Sequence, residues 1–208
     1  MIRRHNAAVV ATPEAQIKYV PADMAEFARE EFRKQGYIVV DLPATPIPAA
    51  EETKSLLDYA LDAQRRGWFV LPCYPRTKVP AGRVVPHGVD MASNDEAQIR
   101  AWWAVDPNFN PAIALGPSNL VVFDFDTIPP FADLAPTYTV RTGRALVNGV
   151  GGLQLYYTGA CDTHDIKDDK GETVGEVRSR GAYVMAAGCI HPKTGNPYVV
   201  ISDVPLAT

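Results

Sequence analysis

Cysteine is scarce in this 208-residue sequence and never clustered. Cys73, Cys161 and Cys189 stand far apart with no Cys-x-x-Cys spacing, which excludes a zinc ribbon and a disulfide framework and fits a reducing, intracellular compartment. An excess of positive charge is missing too: 20 Lys and Arg stand against 24 Asp and Glu, a formal net charge of −4 at pH 7. Composition therefore does not announce a nucleic-acid binder, and any such surface is confined to a local basic patch. Long apolar runs are also lacking. No stretch approaches the roughly 18 consecutive apolar residues of a membrane span, and MIRRHNAAVVATPE has too little apolar sequence for a signal peptide. The expectation is a soluble, unexported protein without internal repeats, long enough to bury one sizeable core.

Proline, by contrast, is concentrated where it divides the chain. PATPIPAA, residues 43 to 50, carries three prolines and reads as a linker or extended turn. Residues 1–50 are accordingly expected to form an N-terminal appendage, with a helix over 22–35 that brings Met24, Phe27, Ala28 and Phe32 to one side, then a short strand, YIVVDL. Residues 51–208 are expected to form the main domain. EETKSLLDYALDAQRR opens it as a helix with Leu57, Ala60, Leu61 and Gln64 in register before Gly67. WFVLP reads as a strand. SNDEAQIRAWW has the capping-box form Ser93-x-x-Glu96 and predicts a helix that packs Ile99, Trp102 and Trp103. Beyond it the signals are strand: PAIAL, LVVFDFD, TYTVRT, GLQLYY, TVGEVRS, AYVMAA and YVVIS, separated by Gly, Pro and Asn turns. The fold class is α+β, a mixed or antiparallel sheet with flanking helices.

Within LVVFDFDTI, residues 120 to 128, Asp124 and Asp126 stand one residue apart. A strand places i and i+2 on one face, so two carboxylates point the same way and repel unless something cationic lies between them. For hard oxygen donors the natural cation is Mg²⁺ or Mn²⁺. A strand ending in solvated aspartates is the plainer alternative, but three apolar residues directly precede Asp124. Glu176, in TVGEVRS between Val174 and Val177, is a lone acid that needs a partner or an ion; pairing with Arg178 or Arg180 on an exposed strand is its plainer reading. Arg178 and Arg180 follow it at strand spacing and share its face, offering guanidinium forks suited to phosphate oxygens. LVVFDFDT is similar to the first motif of haloacid dehalogenase-type phosphatases, which would make Asp124 a nucleophile on a doubly wound sheet. DDKGE, at 168 to 172, imitates that family's late acidic motif, yet the residues after Asp126 read as strands and turns without the helices such a sheet needs.

A second resemblance takes in the surroundings as well. ALDAQRRGWFVLPCYPRTKVP, SNDEAQIRAWWAVDPNFNPAIALGPSNLVVFDFD, GGLQLYY and GEVRSRGAYVMAAGCIHPKTGNPY, in that order from about residue 52 to 200, resemble the bifunctional DNA primase/polymerase domain of the archaeo-eukaryotic primase superfamily. The resemblance implies an RRM-like catalytic core and a template-dependent nucleotidyltransferase with two metal ions, Mg²⁺ or Mn²⁺, held by Asp124, Asp126 and Glu176. It implies a single-stranded DNA template and nucleoside triphosphates as partners, a helicase as neighbouring domain or protein, and work in the bacterial cytoplasm during plasmid or phage replication. Lys78, His191 and Lys193 match basic elements of the family and, with Arg178 and Arg180, are expected at the nucleotide. The family's second motif, a small residue, any residue, then histidine, departs here, because Gly152 and Gln154 occupy the places of serine and histidine. A glutamine amide donates to phosphate but carries no charge. Gln154 as an ordinary solvent-facing strand residue is the competing reading. A catalytically weakened nucleotide or single-strand binding module of the same fold is the alternative function that this substitution keeps open. Arg65, Arg66, Arg76, Arg83, Arg141 and Arg144 supply further material for a backbone-tracking surface.

Overall fold

The structure is a computed structural model that describes residues 8–11, 17–20, 38–41, 54–126, 134–145, 152–168 and 170–208. The chain divides into two compact units, Met1–Glu51 and Glu52–Thr208. In the first, strands β1 (Ala8–Ala11), β2 (Ile17–Val20) and β3 (Ile38–Asp41) form an antiparallel sheet in the order β2-β1-β3. The third strand falls within YIVVDL, the first two carry no signal that the sequence pattern isolates, and the helix expected over 22–35 lies outside the described residues.

The second unit begins with helix α1, Leu56–Arg65. Ser55 closes its first turn as a full capping box: the Asp58 amide donates to Ser55 Oγ at 3.2 Å, and the Ser55 amide donates to Asp58 Oδ2 at 2.8 Å. Ala60, Leu61 and Ala63 form its buried stripe, and the chain leaves through Gly67 at φ +84°, a left-handed conformation that glycine adopts without a Cβ clash. Helix α2, Glu96–Val105, buries Ile99, Trp102 and Trp103 as its sequence predicts. Its cap differs. Ser93 is bound on both backbone sides to Val70 at 2.8 Å, so it belongs to the neighbouring strand, and Asp95 caps the helix by accepting from the Ala97 amide at 3.0 Å.

Among the described residues nine strands complete this unit in two sheets, and every strand pair among them is antiparallel. The smaller sheet has the order β11-β5-β4, built from β4 (Phe69–Cys73), β5 (Asn110–Ala114) and β11 (Tyr183–Met185), with α1 and α2 packed on it. The larger has the order β12-β7-β8-β6-β10-β9, from β6 (Leu120–Phe125), β7 (Thr139–Arg141), β8 (Leu153–Thr158), β9 (His164–Lys167), β10 (Thr173–Arg178) and β12 (Val199–Ser202). The α+β expectation holds, in its antiparallel form, and this sheet is unlike the parallel, doubly wound one that a dehalogenase-type reading requires. β9 is absent from the sequence reading because HDIK shows a single buried position, Ile166. DDKGE is part of the connection between β9 and β10, where Asp168 Oδ1 accepts from the Lys170 and Glu172 amides at 2.9 Å each. Among the described residues no helix is long and apolar enough to cross a membrane.

Alternation along β6 sorts its residues between two cores. Leu120 and Val122 join Tyr138, Val140 and Tyr156 in the main core with both helices, whereas Phe125, Val177 and Ile166 make a small cluster on the other face. Asp124 is the next residue on the face of Leu120 and Val122, so it stands where the main core gives out.

Candidate active site

Strand register assembles the acids. On β10, Glu176 lies directly opposite Asp124, and on the other flank β8 places Gln154 opposite the same Asp124. Directly paired residues share a face with Cβ atoms about 5 Å apart, so Gln154, Asp124 and Glu176 form one row across the three central strands. Asp126 follows just past the strand end, where its amide donates to the Val174 carbonyl at 3.2 Å and keeps it on the same face. Asp124 lies deepest, its side chain 18% exposed against 48% for Asp126 and 40% for Glu176.

Each acid already holds a cation. Arg178, two residues beyond Glu176 on the same face, bridges the facing pair with Nε 3.3 Å from Asp124 Oδ2 and Nη2 2.5 Å from Glu176 Oε2. Arg144 Nη1 lies 2.9 Å from Asp126 Oδ1. Burial raises the Asp124 carboxyl above the ordinary aspartate value, opposed chiefly by Arg178 and Lys78. The pairing of Glu176 with Arg178 that the plainer reading foresees is thus present, and Asp124 is a third member of it. Among the described residues no group of three or more His, Cys, Asp and Glu side chains is gathered closely enough to hold a metal ion. The donors still suit Mg²⁺ or Mn²⁺ in kind: all are carboxylate oxygens, and a guanidinium sits between two of them where a cation is required.

The basic residues named from the sequence reach this place unequally. Lys78 does: burial lowers its ammonium pKa, with Asp124 and Asp126 pulling the other way and Arg144 and Arg178 adding to the fall. Its turn is fixed from below, since the Lys78 carbonyl accepts from Tyr183 Oη at 2.7 Å. His191 is buried in the loop after β11, its amide donating to the Asn196 carbonyl at 2.8 Å. Burial lowers its pKa, and the charges of Lys78, Arg144 and Lys193 lower it further, which places it beside the same cluster. Lys193 is exposed next to it. Arg180 lies in the turn beyond β10, exposed, with its Cα beside Gly116, and makes no ion pair among the described residues. Gln154 does not face solvent. It is 3% exposed and accepts from Tyr156 Oη at 3.2 Å through Oε1.

Two neighbours are not singled out as site residues by the sequence. Arg144 reads there only as scattered surface charge, and Thr142 carries no motif. Their segment is drawn in by glycine: a Cβ on Gly143 would lie 2.6 Å from the His191 Cβ and 2.3 Å from the Asn196 carbonyl oxygen, so only glycine lets the two loops meet. Thr194 Oγ1 donates to the Gly143 carbonyl and secures the contact.

The arrangement is a row of carboxylates at the end of a buried sheet face, ringed by Arg144, Arg178, Lys78 and His191. It suits a polyanionic substrate brought to oxygen-ligated cations. No curated protein sequence matches the chain. The family of bifunctional DNA primase/polymerase N-terminal domains matches residues 60–208, which takes in the second half of α1, every later element of the second unit and Asp124, Asp126 and Glu176. Antiparallel strands that put Glu176 opposite Asp124 and an order of motifs matched across most of the chain lead to one assignment: this chain belongs to the bifunctional DNA primase/polymerase family, whose activity is of the nucleotidyltransferase type.

Proposed function

We propose that the domain is a template-dependent DNA primase/polymerase in which Asp124, Asp126 and Glu176 hold divalent ions. The observation that carries the reading is the register that sets Glu176 opposite Asp124, with Asp126 two residues along the same face. When bound, the ions would activate the attacking 3′-hydroxyl and neutralise the departing pyrophosphate. The chain's own groups do the remaining work. Arg178 and Arg144, paired here with the acids, turn to the triphosphate when ions take their place. Lys78 and His191 line its approach. Gln154 presents an amide, anchored through Tyr156, to a phosphate oxygen, and donates without adding charge. Lys193 and Arg180, both exposed, serve the template or the outer phosphates. Single-stranded DNA and nucleoside triphosphates are the substrates, a helicase is the functional partner, and plasmid or phage replication in a bacterial cytoplasm is the setting.

Glu176→Gln tests the reading, because a neutral amide of nearly the same shape is a poor ligand for Mg²⁺. The variant should keep the wild-type melting temperature, lose primer synthesis on single-stranded DNA by at least a hundred-fold on the scale of lost charge stabilisation, and bind Mn²⁺ more weakly in calorimetry. Wild-type hydrolysis of p-nitrophenyl phosphate that survives in Glu176→Gln and is lost in Asp124→Asn would overturn it. The substitution at Gln154 favours a second reading, a binding module of the same fold with little turnover. In that case nucleotide and Mn²⁺ bind, primer synthesis is absent, and Gln154→His restores it.

A further inference from the structure

Among the described residues two buried side-chain polar atoms have no hydrogen-bond partner, Thr142 Oγ1 and Arg178 Nε. Both lie on the face of the acid row. For Arg178 the ion pairs with Asp124 and Glu176 account for the position. Thr142 has no such account. It is 5% exposed, and its hydroxyl, unlike those of Thr137, Thr139 and Thr194, has no hydrogen-bond partner among the described residues. A buried hydroxyl without a partner destabilises the folded chain, so its presence calls for a ligand that completes it.

The neighbourhood shows what kind of ligand. The Thr142 amide donates to the Gly152 carbonyl at 2.8 Å, which extends the β7–β8 pairing by one step, and Gly152 in turn lies one step beyond the paired Leu153 and Phe125, next to Asp126. Thr142, Gly152 and Asp126 therefore make a second row parallel to Gln154, Asp124 and Glu176. Its middle residue has no side chain. A Cβ on Gly152 would meet Thr142 Oγ1 at 2.6 Å, the Phe125 carbonyl oxygen at 2.9 Å and Arg144 Cδ at 3.3 Å, so glycine is what lets the Thr142 hydroxyl and the Arg144 stem close over this end of the strand. Arg144 bonds Asp126 on one side, and its charge reaches His191 on the other. A hydroxyl donor and a guanidinium, with Lys78 and His191 near, are the chemistry that holds phosphate oxygens.

We propose that Thr142 is a nucleotide-positioning residue: its hydroxyl donates to a phosphate oxygen of the incoming nucleoside triphosphate when Arg144, which packs beside it, turns from Asp126 to the triphosphate. The proposal rests on the nucleotidyltransferase reading and adds to it a residue outside the acid row and the small-x-histidine motif. The hydroxyl acts on the bound nucleotide before chemistry, so its loss raises KM and leaves kcat nearly unchanged.

Thr142→Val keeps the shape and removes the hydroxyl, and Thr142→Ser keeps the hydroxyl. Binding of dATP, ATP and inorganic tripolyphosphate to the full chain is measured by calorimetry with Mn²⁺, alongside thermal melting and primer-extension kinetics. Thr142→Val should bind all three about ten-fold more weakly, as befits a lost hydrogen bond to a charged group, and melt no lower than wild type, since an unsatisfied buried hydroxyl has been removed. Thr142→Ser should restore binding to within about two-fold, the residual effect of a methyl contact. A lower melting temperature in Thr142→Val with binding unchanged would make the hydroxyl structural and overturn the proposal. Weaker dATP binding with tripolyphosphate binding unchanged would move the contact to the sugar or base and overturn it as well. Wild-type protein that binds none of the three and extends no primer would overturn the nucleotidyltransferase reading and this proposal together, whereas wild-type binding matched by Thr142→Val overturns this proposal alone.

Discussion

At one end of the core-facing side of the large sheet, Val122 and Tyr156 are opposed on β6 and β8, and Trp68 stacks on Tyr156 with ring centroids 5.5 Å apart and planes 12° from parallel. Two residues further along the same strands, Asp124 and Gln154 occupy equivalent positions, and the neighbours are Arg178, Arg144 and Lys78. The backbone geometry is common to both ends. Helix α1 and the chain that follows it cover the first and bring Trp68 and Arg66, the latter stacked over Tyr138 at 4.6 Å. At the second, the described neighbours are charged, and the carboxylates of Asp124, Asp126 and Glu176 are paired with Arg178 and Arg144. One end therefore contributes stability by removing aromatic surface from water. The other holds in Asp124 a largely buried charge that stability alone would not select, the kind of position where the proposed chemistry would sit.

Trp68→Ala should give the largest effect. Losing a buried indole that packs on Tyr138 and Tyr156 lowers stability by about 3–5 kcal/mol on the usual scale for large-to-small core changes, read by urea unfolding. A loss below about 1 kcal/mol would mean that the aromatic end does not anchor the sheet.

The acid end should respond in the opposite sense. Burial raises the Asp124 pKa, so the folded chain disfavours its charge at neutral pH, and Arg178 still has Glu176 as a partner when Asp124 is neutralised. Asp124→Asn should therefore melt at or above the wild-type temperature at pH 7.5 while abolishing primer synthesis. A markedly lower melting temperature would erase the contrast between the ends.

His191 sharpens the comparison through pH. Its pKa is lowered from 6.5 in the folded chain, by burial first and then by Lys78, Arg144 and Lys193, so the unfolded chain takes up its proton at higher pH than the folded one. Its contribution is present above 6.5 and is lost as pH falls through the folded pKa. Between pH 7.5 and 5.5 the wild type should lose more urea stability than His191→Gln. Equal slopes would remove His191 from the basic ring.

The smallest effect is expected from removing the first unit. A chain starting at Glu51 retains α1, both sheets of the second unit and the whole family match, and should keep the nucleotide transfer of the full chain within about two-fold, the scatter expected for changes remote from a site. A well-folded but inactive truncation would make the first unit part of the working domain.

Local spacing makes much of the second unit legible from the amino-acid order alone. Period-two alternation in LVVFDFD and GLQLYY marks two strands and predicts that Asp124 and Asp126 share a face, because the pleat fixes side-chain direction residue by residue. Helices α1 and α2 are equally plain from apolar spacing. The cap of α2 falls at Asp95 and not at Ser93 because Val70 takes both backbone groups of Ser93, a long-range pairing that the capping-box pattern cannot register. β9 escapes the pattern because a short edge strand needs few apolar positions.

The sequence by itself determined the family, the α+β class and the pair of aspartates, since each is written in local spacing or in the order of motifs along the chain. Only the tertiary structure decided that Glu176 faces Asp124, that Arg178 bridges them, that Gln154 is buried beside them, and that Thr142 and Arg144 belong to the same place. Those relations depend on register between strands distant in sequence and on glycines that let backbones close together. No local pattern encodes them, because pairing register is chosen by the packing of both sheet faces at once.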